Sequence, residues 1–139
     1  MKATKSNKKE VLQIWSLDYM QVTTGTQVVP TATIRLKRSG IGELPQDAST
    51  GKTAVDAVIQ TINRIALVNA TIISHTLQSS GTGDSLLPHV CIYVCFNNRY
   101  KSIVVGKATN KDFIEAYAHA YIDALNQFIA KGVPTAKAA

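Results

Sequence analysis

The chain has 139 residues, 45% of them hydrophobic and 17% charged, enough for one domain with a single core. Its net charge of +6 sits in the tails: Lys2, Lys5, Lys8 and Lys9 lead the chain and Lys137 trails it. Of the fifteen Lys/Arg, the ten left in residues 10–136 face nine Asp/Glu, so the body carries no basic stripe for nucleic acid and no nucleic-acid partner is expected. No apolar run reaches the ~18 residues of a membrane span, and residues 1–9 lack a signal-peptide core, so the expectation is a cytoplasmic protein without a membrane partner.

Residues 1–9 read as a disordered tail. Residues 11–23, rich in β-favouring side chains, predict a first strand, broken at Thr24-Gly25-Thr26. Residues 28–37 alternate Thr31, Thr33 and Arg35 with Ala32, Ile34 and Leu36, a second strand. After the turn Arg38-Ser39-Gly40, residues 41–49 predict a third strand, with Pro45 marking an edge or a bulge. A helix then starts near Thr53, a fitting N-cap with Asp56 three residues on. Val55, Val58, Ile59, Ile62, Ile65 and Ala66 give it an apolar face, while Gln60, Asn63 and Arg64 lie opposite.

The pattern then repeats. Residues 70–80 and 86–96 read as strands around a flexible turn at 79–84, and residues 100–105 read as a third strand closed by Gly106. Thr109 or Asn110 is expected to cap a second helix, whose apolar face includes Phe113, Tyr117, Tyr121, Leu125 and Phe128. Gly132 and Pro134 end it, and residues 133–139 form a second disordered tail. The expected fold is α+β: two pseudo-symmetric βββα units, each a helix on a three-stranded antiparallel sheet, over about 10–67 and 68–132. Open sheet edges favour pairing with another copy.

Cys91 and Cys95 lie four apart in one apolar run, too far apart on a strand for a disulfide, and read as reduced core thiols. Gly51-Lys52-Thr53 resembles the end of a phosphate-binding loop, but Gln46 stands where the leading glycine is required. His75, His89 and His119 have no metal spacing, and no catalytic set stands out, so no cofactor, no metal and no catalysis are expected of this chain. What remains is binding. Gly51-Lys52 and Gly106-Lys107 each precede a helix, 55 positions apart, and helix N-termini offer unpaired N–H groups to a carboxylate beside Val55 and Phe113. Ordinary strand-to-helix corners have the same composition.

Taken together, several segments resemble the C-terminal regulatory (allosteric and dimerisation) domain of the alpha-isopropylmalate synthase and citramalate synthase family. They are Leu17-Asp18-Tyr19-Met20-Gln21-Val22, Pro30-Thr31-Ala32-Thr33-Ile34-Arg35-Leu36, the Gly51 to Ala57 corner with Val55-Asp56-Ala57, and Ala116 through Asn126. The resemblance implies a homodimer and an effector, leucine for isopropylmalate synthases or isoleucine for citramalate synthases. It further implies that a catalytic barrel elsewhere in a parent acyltransferase joins acetyl-CoA to a 2-oxo acid. Carried over, the effector site would comprise Gly51, Lys52, Thr53, Val55 and Asp56, then Ile72, His75, Ser79 and Leu86, and Thr109. Lys52, Thr53 and Ala54 stand where the family commonly has an Asp or Asn, a glycine and a proline. A branched-chain amino acid, leucine favoured, is thus the expected partner. Isoleucine, or dimerisation with no effector, is the alternative.

Overall fold

The computed structural model describes residues 14–81, 86–97 and 101–131. Six strands and two helices follow in the order β1 (Trp15–Gly25), β2 (Val28–Arg38), β3 (Gln46–Thr50), α1 (Ala54–Ala66), β4 (Ala70–Ser80), β5 (Leu87–Phe96), β6 (Ser102–Thr109) and α2 (Phe113–Ala130). Two antiparallel sheets result, β1-β2-β3 and β4-β5-β6, each followed by its helix. The expected pair of βββα units is therefore present. Residues 1–9 and 133–139, read as tails, and Gly132 and Pro134 lie outside the described residues.

Alternation decides which face of each strand is buried. Ala32, Ile34 and Leu36 of β2 are fully buried, and so are Val90, Ile92 and Val94 of β5. Helix α1 covers β2 and β3 with Ala57, Val58, Ile59, Thr61 and Ile62, while α2 covers β5 and β6 and reaches across to β1. One continuous core results, running from Trp15 through Ile34 and Ile62 to Tyr121 and Leu125. Cys91 and Cys95 occupy the odd positions of β5. They lie half-buried on the opposite sheet face, because the even positions up to Phe96 take the core.

Two polar links fasten the units. Asn126 accepts from the Trp15 N–H and donates to the Trp15 carbonyl, both at 2.8 Å. The Tyr121 hydroxyl donates to Asn63 Oδ1, and Asn63 Nδ2 donates to the Ala70 carbonyl at 3.0 Å. Helix α2 is thus hydrogen-bonded to β1, to α1 and, through Asn63, to the start of β4. These bonds are buried or part-buried and mutually satisfied, so they tie the two units to each other.

The elements differ from their sequence-based limits in three instructive places. Strand β3 begins only at Gln46, after Pro45, and the Pro45 carbonyl accepts from Leu36 N–H at 3.0 Å. Strand β6 does not stop at Gly106 but runs on to Thr109. Helix α2 is capped by Asp112, whose carboxylate accepts from Glu115 N–H at 3.1 Å; Asn110 instead accepts from Asp112 N–H at 3.0 Å. The N-caps Thr53 and Asp112 are thus 59 residues apart, not the 55 of the glycine-lysine pairs.

Candidate functional site

The corner between β3 and α1 is built by three hydrogen bonds. Thr53, in extended conformation, accepts from Asp56 N–H through its hydroxyl at 3.0 Å, and Thr53 C=O accepts from Ala57 N–H at 2.9 Å. Asp56 reaches back and accepts from Lys52 N–H at 2.8 Å. This resembles a capping box, except that Asp56 takes the N–H of the residue before the N-cap and not that of the N-cap itself. It leaves the N–H groups of Ala54 and Val55 without a partner among the described residues, at the positive end of the helix dipole. Gly51 holds the corner tight: a Cβ there would stand 2.4 Å from Ala57 N.

A cleft of about 730 Å³ opens beside this corner, between α1, the start of β4 and the first turns of α2. Thr53, Val55, Asp56, Ile59, Gln60 and Asn63 line it from α1, Ile72 and His75 from β4, and Phe113 and Tyr117 from α2. The α2 end is aromatic. His75 meets Tyr117 edge-on at 5.7 Å between ring centres, and Tyr117 meets Phe113 edge-on at 5.0 Å. Burial pushes the Tyr117 phenol above its ordinary pKa, so it stays a neutral hydroxyl. The cleft therefore offers backbone N–H donors and a carboxylate at one end and apolar and aromatic walls at the other. That suits a small zwitterion with an apolar side chain.

Of the ten residues assigned from the sequence, Thr53, Val55, Asp56, Ile72 and His75 line this cleft. The other five do not. Gly51 and Lys52 belong to the corner behind it, Gly51 packed on Ala57 and Lys52 exposed. Ser79 and Leu86 lie at the far end of the β4–β5 pair, where Ser79 pairs with Pro88. Thr109 ends β6 and contacts His89 Nδ1 at 2.6 Å through its hydroxyl. Gly106 serves strand-to-helix packing, since a Cβ there would stand 2.1 Å from the Ala120 carbonyl oxygen. Gln60 and Asn63 stand on the polar face of α1, opposite its apolar one. That face is polar because it borders the cleft and because Asn63 joins the two units. Tyr117 was assigned only to the core.

A second hollow of about 530 Å³ lies at the outer edge of β6, lined by Cys91, Tyr93, Val105, Lys107, Asp123 and Gln127. Its two α2 side chains are engaged with that edge: Asp123 accepts from Lys107 N–H at 3.0 Å and Gln127 donates to Val105 C=O at 2.9 Å. It has no counterpart to the free helix N–H groups of the first cleft.

Comparison with known proteins agrees with this architecture. The model of the LeuA allosteric (dimerisation) domain family matches residues 2–129. A 2-isopropylmalate synthase of Pelotomaculum thermopropionicum is 35% identical over 115 residues, covering 83% of this chain and 22% of that protein. Those of Gloeothece citriformis and Bacillus velezensis are 38% and 36% identical, over 85% and 78% of this chain and 21% and 20% of theirs. The chain thus spans about a fifth of the length of the curated relatives it matches. With the family model covering nearly the whole chain and two βββα units in its fold, the chain belongs to the LeuA allosteric (dimerisation) domain family.

Proposed function

We propose that this domain binds a branched-chain amino acid, leucine in preference to isoleucine, and thereby exerts feedback inhibition on a 2-isopropylmalate synthase-like parent enzyme of leucine biosynthesis. The observation that carries the reading is the cleft, where the α1 N-terminus of the first unit meets Ile72 and His75 of the second. In the proposed pose the ligand carboxylate takes the N–H groups of Ala54 and Val55, and the ammonium takes the remaining oxygen of Asp56. The branched side chain packs among Val55, Ile59, Ile72 and Phe113. The preference for leucine rests on the relatives, which are named 2-isopropylmalate synthases. The parent's catalytic barrel, joining acetyl-CoA to a 2-oxo acid in the cytoplasm, is part of the same proposal, as is a homodimer of such domains.

Because the cleft has walls from both units, a ligand there biases their relative placement. Regulation requires that this bias differ between the active and inhibited forms of the parent. Calorimetric titration with leucine, isoleucine and valine tests the reading directly. Leucine is expected to bind most tightly; tighter binding of isoleucine would reassign the parent to citramalate synthesis. No heat with any of the three would reduce the domain to a dimerisation module. Val55→Trp fills the apolar wall and is expected to abolish binding while the circular dichroism spectrum is kept. Unaltered affinity would put the ligand elsewhere.

A further inference from the structure

The two sheets have four outer edges, and the structure treats them unequally. The edge of β1 is occupied at Trp15, whose N–H and C=O are both bonded to Asn126. The edge of β6 is occupied by Asp123 on Lys107 N–H and Gln127 on Val105 C=O. The edge of β3 is five residues long, and Asp47 Oδ1 accepts from its Ala48 N–H at 2.8 Å. Edge strands left bare pair with other chains, and proteins shield them with such devices or with charges and prolines.

Strand β4 has one such bond, at its Ala70 carbonyl, and nothing of the kind from Thr71 on among the described residues. It is eleven residues long, Ala-Thr-Ile-Ile-Ser-His-Thr-Leu-Gln-Ser-Ser, without Lys, Arg, Asp, Glu or Pro. Every other strand carries at least one of those residues. Residues 73–79 are all exposed, with Ile73 at 54% and Leu77 at 49%. Asn97 N–H donates to Asn69 C=O, which sets the alternation along the β4–β5 ladder. Past the bulge between Ile72 and Ser74, the N–H and C=O groups of His75, Leu77 and Ser79 point away from β5. Asn63 takes the Ala70 carbonyl, and beyond it no hydrogen bond reaches this edge among the described residues.

We propose that β4 is the edge through which two copies of this chain pair, antiparallel about a twofold axis, joining two three-stranded sheets into one of six strands. The occupant is a second copy because the chain belongs to a dimerisation domain family, and a twofold contact requires a self-complementary surface. An uncharged strand meets that requirement, since no like charges face each other across the axis. The inward-facing side chains of Ile72 and His75 stand on this same strand and line the cleft, so the second copy forms its missing wall. The inference rests on the family's dimerisation and not on the identity of any effector.

Sedimentation over a concentration series, with no amino acid added, tests it. Leu77→Pro removes an N–H that bonds to nothing among the described residues but would be needed by the partner strand. Leu77→Lys adds a charge that would face its own copy. Each is expected to weaken the dimer at least tenfold with the circular dichroism spectrum unchanged, while Ala48→Lys on the β3 edge leaves the dimer as it is. Should Leu77→Pro fail to fold, Leu77→Lys decides. In the unaltered chain, the amides of His75 and Leu77 are expected to be protected from hydrogen exchange at high concentration and to lose that protection on dilution. Folded Leu77 variants that dimerise like the unaltered chain, or rapid exchange of those amides in the dimer, would overturn the β4 interface and leave the family's dimerisation standing. A chain monomeric at every concentration would overturn both.

Discussion

Gly51 and Gly106 are each fixed by what a methyl group would strike: the Ala57 amide nitrogen in one case, the Ala120 carbonyl in the other. Neither contact can move without shifting a helix on its sheet. Gly51→Ala and Gly106→Ala are each expected to cost roughly 1–3 kcal/mol, read from chemical denaturation. Leu67 presents the opposite case. It caps α1 in the left-handed region at φ 57° with 89% of its surface exposed, so its side chain adds strain and little burial. Leu67→Gly is expected to stabilise the fold by about 0.5–1 kcal/mol, seen as a higher midpoint in the same experiment. The two glycines were visible in the sequence as a pair, and their neighbours were not. A glycine needed for close approach looks the same on paper as one that ends a strand, which is why β6 was expected to end at Gly106.

The helices show most clearly what a pattern can and cannot carry. The apolar period of residues 55–66 placed α1, and Thr53 with Asp56 placed its start, because capping is a local matter settled within four residues. The polar face was legible as polar, but its role depended on what lay across from it. Asn63 receives the Tyr121 hydroxyl from a residue 58 positions away. A separation of 42 positions hid Tyr117 of α2, whose partner His75 is on β4. Tyr121 also makes the helix pair sensitive to alkali. Burial pushes its phenol well above the ordinary value. A raised pKa contributes stability that is whole below the unfolded value near 10 and is lost as pH rises toward the folded one. Unfolding midpoints are therefore expected to fall above about pH 10. Tyr121→Phe is expected to lose about 1 kcal/mol at neutral pH, through the missing hydrogen bond, and to show a shallower alkaline decline.

At the scale of the whole molecule, one core and two polar links make a single body from two similar halves. The halves were legible because each is a local repeat of strand and helix periods. Their mutual arrangement was not, because it rests on Asn126 and Asn63, two amides that no periodicity singles out. The candidate site was half legible for the same reason. Its α1 portion is contiguous in sequence, whereas which strand residues share the cleft with it depends on how the second sheet packs: Ile72 and His75 line it, and Ser79, Leu86 and Thr109 lie away from it.

The Asn126 bond to Trp15 joins residues 111 positions apart. Within this domain β1 leaves the ribosome before α2. At about 5–20 residues per second, the 63 residues from Val68 to Ala130 take roughly 3–13 s to appear. Through that interval the first sheet waits with its Trp15 edge unclosed. The stitch that completes the finished domain thus also sets the period in which its first half is most open to mispairing.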